Sequence, residues 1–256
     1  MRKIFFALFF ISVNALAQTP PRKAIMGLLA KPAANGILAD SIIANGTFAA
    51  LALQKGDVIT AINGNSLASM EDYGKNVSNI RTGEKLAVQF IRNGKSMNVS
   101  GNAVMRPYEQ SDIADVQYDW VKFRSGYLRA ITRKPKSKTN LPSILLIPGY
   151  GCGSIENYMG SYNGKLLTEW LKAGYAVVTI EKSGLGDSYN CAPCSEVDLS
   201  TDIESFDAGY NYMEQLSFVD KSRLYIWGHS MGGLIAPEVA KRHKPKGVMV
   251  FGTTFR

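Results

Sequence analysis

The sequence predicts an α/β protein in two parts: a partly open β-barrel with one or two helices, then a parallel sheet with helices on both faces. Three observations predict this fold class. Glycine-containing turns separate short strands over residues 25–104. From residue 118 onward, apolar strands alternate with amphipathic helices, which is typical of a parallel sheet. Residues 228–232 form a Gly-x-Ser-x-Gly sequence between a predicted strand and a predicted helix.

The composition is that of a globular protein. The chain has 256 residues, of which 46% are hydrophobic and 20% charged, so it can bury a core. The net charge is +8, but Lys and Arg cluster only in two short runs, residues 133–138 and 241–246. We interpret both runs as exposed turns and expect no nucleic-acid partner. With two histidines and three cysteines, the sequence predicts no metal site and no cofactor.

The N-terminus has the pattern of a secretory signal peptide. Arg2 and Lys3 precede an apolar stretch over residues 4–13, and Ala15 and Ala17 supply the small residues that a signal peptidase reads. We therefore expect residues 1–17 to be removed on export to the periplasm or the extracellular space. The apolar stretch is about half of the roughly 20 residues that span a bilayer, so we expect no membrane span in the mature protein.

Short strands and a helix follow one another in the first part. Asn63-Gly64 and Asn93-Gly94 each predict a hairpin turn, because both residue types tolerate positive φ. Ser69 predicts a helix N-cap. The predicted elements are a strand over 58–62, a helix over 70–80, and strands over 85–91 and 96–99.

Three stretches of this part carry a resemblance: residues 46–50 (GTFAA), 53–59 (LQKGDVI) and 62–64 (ING). Residues 25–104 resemble a PDZ domain, most closely those of bacterial periplasmic proteases. The resemblance implies a peptide groove on a strand edge. The carboxylate-binding loop would be Met26, Gly27, Leu28 and Leu29. Tyr73 and Val77, on the helix, would line the groove. A domain that only packs against its neighbour is the alternative, and both remain open.

A polar segment over residues 105–117, with Pro107, predicts a linker to the second part, residues 118–256. Two strand-like halves lie on either side of Ser125-Gly126. The further predicted strands cover 143–147, 176–180, 223–227 and 247–251, and the predicted helices cover 165–173, 201–216 and 231–242.

Ser230 is the candidate nucleophile. The strand over 223–227 runs directly into Gly228-His229-Ser230-Met231-Gly232, which opens a helix. The turn must be sharp, and a side chain at either glycine would collide with nearby backbone. Negative charge developing at Ser230 would meet the N–H groups of the helix N-terminus.

Two further stretches, residues 147–151 (IPGYG) and 182–188 (KSGLGDS), occur in order before this turn. With it, they make residues 118–256 resemble the α/β-hydrolase family. The resemblance implies that Ser230 attacks the substrate and that backbone N–H groups form the oxyanion hole. Met231 would supply one N–H group, and Tyr150 or Gly151 the other.

The catalytic triad is incomplete in this sequence. Family members carry an acid and then a histidine after the serine. After Ser230, the only acidic residue in this sequence is Glu238 and the only histidine is His243. Both lie on the helix that the turn opens, which puts His243 roughly 20 Å from Ser230. His229 should diverge from Ser230 and serve in packing. We therefore expect a hydrolase domain that is incomplete at its C-terminus and, in this chain alone, inactive by the triad mechanism.

Cys191 and Cys194 have Cys-x-x-Cys spacing, but they lie in a loop and not at a helix start, which disfavours a redox site. We expect a structural disulfide, either between these two or between one of them and Cys152.

The leading function is an exported serine hydrolase of carboxylic esters, with a PDZ module for peptide or protein recognition. One alternative is a secreted serine peptidase whose substrates the PDZ module recruits. The other is a non-catalytic PDZ binding protein, because the triad acid and histidine are absent.

Overall fold

The structure is a computed structural model that describes residues 20–136, 138–156 and 164–254. The expected signal peptide, residues 1–17, lies outside this range. Within it, no helix has the length and apolar character needed to cross a membrane.

The N-terminal domain is an antiparallel sheet with two helices. Its elements are β1 (Leu28–Ala33), β2 (Gly36–Ile42), α1 (Thr47–Ala50), β3 (Val58–Ile62), β4 (Asn65–Ser66), α2 (Met70–Val77), β5 (Lys85–Arg92) and β6 (Lys95–Asn102). The strand order is β1-β2-β3-β5-β6, and β4 pairs with β3. β1 is therefore an edge strand, with α2 beside it.

The predicted turns and cap of this domain are confirmed. Asn63 and Asn93 have φ of 50° and 51°, as the hairpin turns require. The Oγ of Ser69 accepts a hydrogen bond from the N–H of Asp72 at 3.1 Å and so caps α2. α2 ends at Val77, three residues before the predicted end at residue 80. The core forms around Phe48, which is fully buried.

The C-terminal domain has a mixed sheet. Its strands are β7 (Ala114–Phe123), β8 (Gly126–Pro135), β9 (Leu141–Ile147), β10 (Ala176–Ile180), β11 (Val219–His229) and β12 (Gly247–Phe251), in the order β12-β11-β9-β10-β8-β7. β9 to β12 are parallel, as predicted, but β8 is antiparallel to both β7 and β10. The tight turn between β7 and β8 permits only antiparallel pairing.

Helices cover both faces of this sheet, as predicted. They are α3 (Gly164–Lys172), α4 (Leu199–Gln215) and α5 (Gly232–His243). Side chains of β9 alternate between the faces. Leu145 and Ile147 pack in the core that contains Phe206 of α4, while Ile144 and Leu146 pack with Leu167 of α3.

Two expectations about this region were wrong. β7 begins at Ala114, inside the segment predicted as a linker. Arg133, predicted to lie in an exposed turn, is fully buried on β8. Its guanidinium donates hydrogen bonds to both carboxylate oxygens of Glu109, at 2.7 and 2.6 Å, and this pairing permits the burial.

The two domains are joined by a buried ionic contact centred on Asp187, in the segment after β10. Its carboxylate accepts from Nε of Arg22 at 2.8 Å and from the N–H of Lys23 at 2.7 Å. Arg129 lies 3.3 Å away. Arg81 of the N-terminal domain donates to the carbonyl oxygens of Asp187 and Ser188, at 3.1 and 3.0 Å. These bonds hold the N-terminal domain against the loops at the carboxyl end of the second sheet.

Candidate active site and peptide groove

Ser230 lies at the apex of the turn between β11 and α5, with φ of 51°. Its N–H donates to the carbonyl oxygen of Phe251 at 2.8 Å. Its own carbonyl oxygen accepts from the N–H of Gly233 at 2.9 Å and from Oγ1 of Thr253 at 2.8 Å. A positive φ is unfavourable for serine, and these bonds to β12, α5 and the following segment hold the residue there.

The glycines on either side of Ser230 are required sterically. A Cβ on Gly228 would lie 2.3 Å from the carbonyl oxygen of Gly232. A Cβ on Gly232 would lie 2.3 Å from the carbonyl oxygen of Ile147. The turn therefore has the close backbone packing that the sequence motif predicts.

The segment after β9 faces Ser230. A Cβ on Gly149 would lie 3.2 Å from Cβ of Ser230. Tyr150 and Gly151 share with Ser230 the lining of a cavity of about 330 Å³. Tyr150 and Gly151 also line a neighbouring cavity of about 230 Å³, together with Met231. The structure thus brings together the serine and the residues proposed for the oxyanion hole.

Neither histidine is hydrogen-bonded to Ser230. Nε2 of His243 lies 2.8 Å from Oδ1 of Asp207, and its ring stacks on Tyr210. The ring of His229 stacks between Trp227 and Phe251, at 5.9 Å from each.

Glu238, the other candidate partner, is paired with Lys241 at 2.7 Å. In the part of the chain that the structure describes, Oγ of Ser230 has no hydrogen bond to a histidine or a carboxylate. The packing role expected for His229 matches its stacked position.

Sequence reasoning missed a buried ion pair beside Ser230. Nζ of Lys182 donates to Oδ2 of Asp202 at 3.0 Å, and both side chains are about nine-tenths buried. Lys182 lines both cavities. The position of a lysine two residues after a buried strand was the available signal, since the carboxyl ends of parallel strands hold functional residues in such sheets.

Glu181, the residue before it, is also buried and was also missed. Burial raises the pKa of Glu181 to about 7, against the lowering effect of hydrogen bonds from Ser154 and Ile155. Oγ of Ser154 donates to one carboxylate oxygen, and the N–H of Ile155 lies 3.3 Å from the other. Glu181 thus holds the segment that continues from Tyr150 and Gly151.

A disulfide joins Cys152 to Cys194, and Cys191 is a free thiol. Of the pairings left open by the sequence, the bond between Cys191 and Cys194 is therefore not the one formed. The disulfide ties the segment after Gly151 to a short 3₁₀ helix, Cys194–Glu196.

The second candidate site is the groove between β1 and α2. Gly27 has φ of +73°, and a Cβ there would lie 2.7 Å from Cα of Gly46. The carbonyl oxygens of Met26 and Gly27 accept bonds from Phe48 and Ile43, so these anchoring bonds do not use the N–H groups of the loop.

A cavity of about 450 Å³ follows this groove. Its lining includes five of the six residues predicted for the peptide site: Met26, Gly27, Leu28, Tyr73 and Val77. Leu29 is 58% exposed and is not part of this lining.

Comparison with known proteins agrees with both resemblances. Residues 24–101 match the PDZ domain family, and residues 143–256 match the family described as serine aminopeptidase, S33. The chain combines a PDZ domain with an α/β-hydrolase domain. The PDZ match lies in the antiparallel sheet and the hydrolase match covers β9 to β12.

Each of two curated relatives matches part of this chain. A probable periplasmic serine endoprotease, DegP-like, from Pseudomonas putida is 36% identical over 85 residues, which are 33% of this chain and 17% of the relative. The quorum-quenching protein AidA of Acinetobacter baumannii is 28% identical over 141 residues, 55% of this chain and 40% of AidA. The chain thus spans well under half the length of either protein.

Solved structures that match part of this chain include a hypothetical protein from Pseudomonas aeruginosa, with a TM-score of 0.49 and 19% identity over 57% of this chain and 45% of that one. Est1E from Butyrivibrio proteoclasticus, bound to ferulic acid, has a TM-score of 0.43 and 22% identity over 51% of this chain and 50% of that one.

Proposed function

We propose that this protein is an exported serine hydrolase of carboxylic esters, with Ser230 as its nucleophile and a PDZ domain that recruits peptides. One observation carries the catalytic part. Ser230 is held at positive φ at the N-terminus of α5, beside a cavity that it shares with Tyr150 and Gly151.

In this proposal, Oγ of Ser230 attacks the carbonyl carbon of the ester and its proton passes to a base. The N–H groups of Met231 and of Tyr150 or Gly151 stabilise the oxyanion. The N–H of Met231 suits this role because the first N–H groups of a helix have no acceptor within it. The alcohol leaves with a proton, and water then hydrolyses the acyl-enzyme.

No histidine or carboxylate in the described ranges is hydrogen-bonded to Ser230, so the proposal assigns to this chain the nucleophile and the oxyanion hole alone. The test is turnover of nitrophenyl esters by the protein from its native source. Loss of turnover in Ser230→Ala, with an unchanged circular-dichroism spectrum, is the expected result, whereas full activity in that variant would contradict the role of Ser230.

Peptide amides are the second candidate substrate, because the family matched by residues 143–256 is described as an aminopeptidase. A comparison of nitrophenyl esters with peptide anilides separates the two. Higher kcat/KM for the esters supports the leading proposal, and higher kcat/KM for the anilides replaces it with peptide hydrolysis.

Export is supported by the disulfide, which persists in oxidising compartments, and by the DegP-like relative, which is called periplasmic. The test is mass spectrometry of the N-terminal peptide from the native protein. A peptide that begins at Gln18 is expected, and one that retains residues 1–17 would contradict export by this signal.

A further inference from the structure

The cavity beside the PDZ groove has walls from both domains. Met26, Gly27 and the α2 residues Tyr73 and Val77 form one side. Cys152, Ser154 and residues 184–186 of the hydrolase domain form the other. The contacts of Arg22 and Arg81 with the segment at Asp187 fix these walls against each other. Hydrolase loops thus lie beside Gly27 in the lining of the cavity.

Two cations line this cavity, Lys23 and Arg106. Nη1 of Arg106 lies 3.2 Å from Oε2 of Glu156. Arg106 shares this carboxylate with Arg22, which contacts its other oxygen. Within the described residues, no carboxylate lies within ion-pair distance of Nζ of Lys23. A half-buried ammonium group without a counter-ion favours an anionic ligand, because a negative charge would offset its desolvation.

The charged groups around Lys23 also favour an anionic ligand. Burial lowers the pKa of Lys23, and the positive charges of Arg81 and Arg106 lower it further, against the raising effect of the carboxylates of Glu181 and Asp187. The two carboxylates thus do not offset the burial of this ammonium group and the two cations beside it. A carboxylate is the anion that fits, since the neighbouring strand edge of β1 can accept a peptide as an added strand.

We infer that this interdomain cavity binds the free α-carboxylate of a peptide whose last residues pair with β1, and that Lys23 and Arg106 contact this carboxylate together with the loop at Gly27. The inference rests on the proposed peptide-binding role of the PDZ domain and deepens it. It assigns part of the ligand site to side chains outside the Gly27 loop and part of its wall to the hydrolase domain.

A bound carboxylate would also affect residues 150–156, most of which line the cavity at Ser230. It competes with Glu156 for Arg106. Glu156 is two residues from Ser154, which lines the cavity and is held by Glu181. Residues 150–156 therefore connect the peptide site to the cavity at Ser230 without a break in the chain, so peptide occupancy and the conformation of this segment are coupled and the coupling is reciprocal.

The first test is peptide affinity. A peptide is selected on the immobilised protein from random hexapeptides with free C-termini, and its affinity is compared with that of its C-terminal amide. The free acid should bind at least tenfold more tightly. Lys23→Met and Arg106→Met should each remove most of that difference, while Lys75→Met, an exposed lysine of α2, should leave it unchanged.

The second test is hydrogen exchange of the full chain with the same two peptides. The free acid should slow exchange in residues 150–156 as well as in the loop at Gly27, and the amide should protect the PDZ residues alone.

Equal affinity for acid and amide, or protection confined to residues 24–101, would overturn the composite site while leaving peptide binding intact. Selection of no peptide would overturn it together with the peptide-binding proposal. Neither result depends on the reactivity of Ser230, which is tested separately.

Discussion

Nε2 of His243 lies 2.8 Å from Oδ1 of Asp207, a contact that joins α5 to α4. The imidazole also stacks on Tyr210, 4.4 Å between ring centroids. The histidine that follows Ser230 in the sequence is thus committed to helix packing and not to the catalytic serine.

We predict that His243→Gln lowers stability but not the reactivity of Ser230. Loss of the contact with Asp207 should cost about 1 kcal/mol in the free energy of unfolding, measured in urea. The rate at which a fluorophosphonate labels Ser230 should stay within about twofold, because general-base catalysis, which contributes roughly 10²- to 10⁴-fold, does not come from this residue. A tenfold or greater loss of labelling in the folded variant would assign His243 to catalysis.

We predict that Glu181 makes the protein less stable as the pH rises. The pKa of Glu181 is raised from 4.5 to about 7 by burial, so the folded state holds a proton that the unfolded state releases. Between these values the folded state binds more protons, and stability falls with rising pH. Glu181→Gln should flatten this dependence between pH 5 and pH 8 in urea titrations. The exposed Glu71→Gln is the control, and an equal slope in the wild type and Glu181→Gln would contradict the raised pKa.

We predict that Asp187→Asn strongly destabilises the protein. Its carboxylate is buried between Arg22 and Arg129, and its loss leaves two buried guanidinium groups without this counter-ion. Breaking a buried pair typically costs about 3–5 kcal/mol. Urea unfolding measures this loss. Asp220→Asn, which removes a partly exposed pair with Arg223, should cost at most about 1 kcal/mol. Similar losses in both variants would contradict the interdomain role of Asp187.

The disulfide predicts a specific alkylation pattern. The denatured but unreduced protein should take up one iodoacetamide group, on Cys191, and the reduced protein should take up three. Reduction should also lower stability by about 2–4 kcal/mol, since the bond closes a long loop. Cys191→Ser should not change this effect. Alkylation of Cys152 before reduction would show that a different pair forms.

The sequence predicts the local features of this protein well. The bounds predicted for β3, β10 and β12 agree with the structure, because short apolar stretches bounded by turn residues are local signals. The turn at Ser230 is also predicted from a local sequence pattern, although only the requirement for Gly228 is local, because the backbone that crowds Gly232 belongs to β9.

The contacts that join distant segments could not be predicted in this way. Arg81 donates to the carbonyl oxygen of Ser188, 107 residues further along the chain, and Arg133 is buried because Glu109 faces it. Both are charged residues that composition assigns to the surface. The same limit applies to the disulfide, for which three cysteines allow three pairings. The position of the hydrolase loops beside Gly27 also depends on such contacts.

The role of Ser230 as the nucleophile is tested by identifying the residue that a fluorophosphonate modifies in the protein from its native source. Trypsin should release residues 224–241 as one peptide, in which Ser230 is the only serine. We predict a phosphonyl adduct on this peptide, at Ser230, that is absent after denaturation before labelling and absent in Ser230→Ala. An unmodified Ser230 in the folded protein, or an equal adduct in Ser230→Ala, would contradict it.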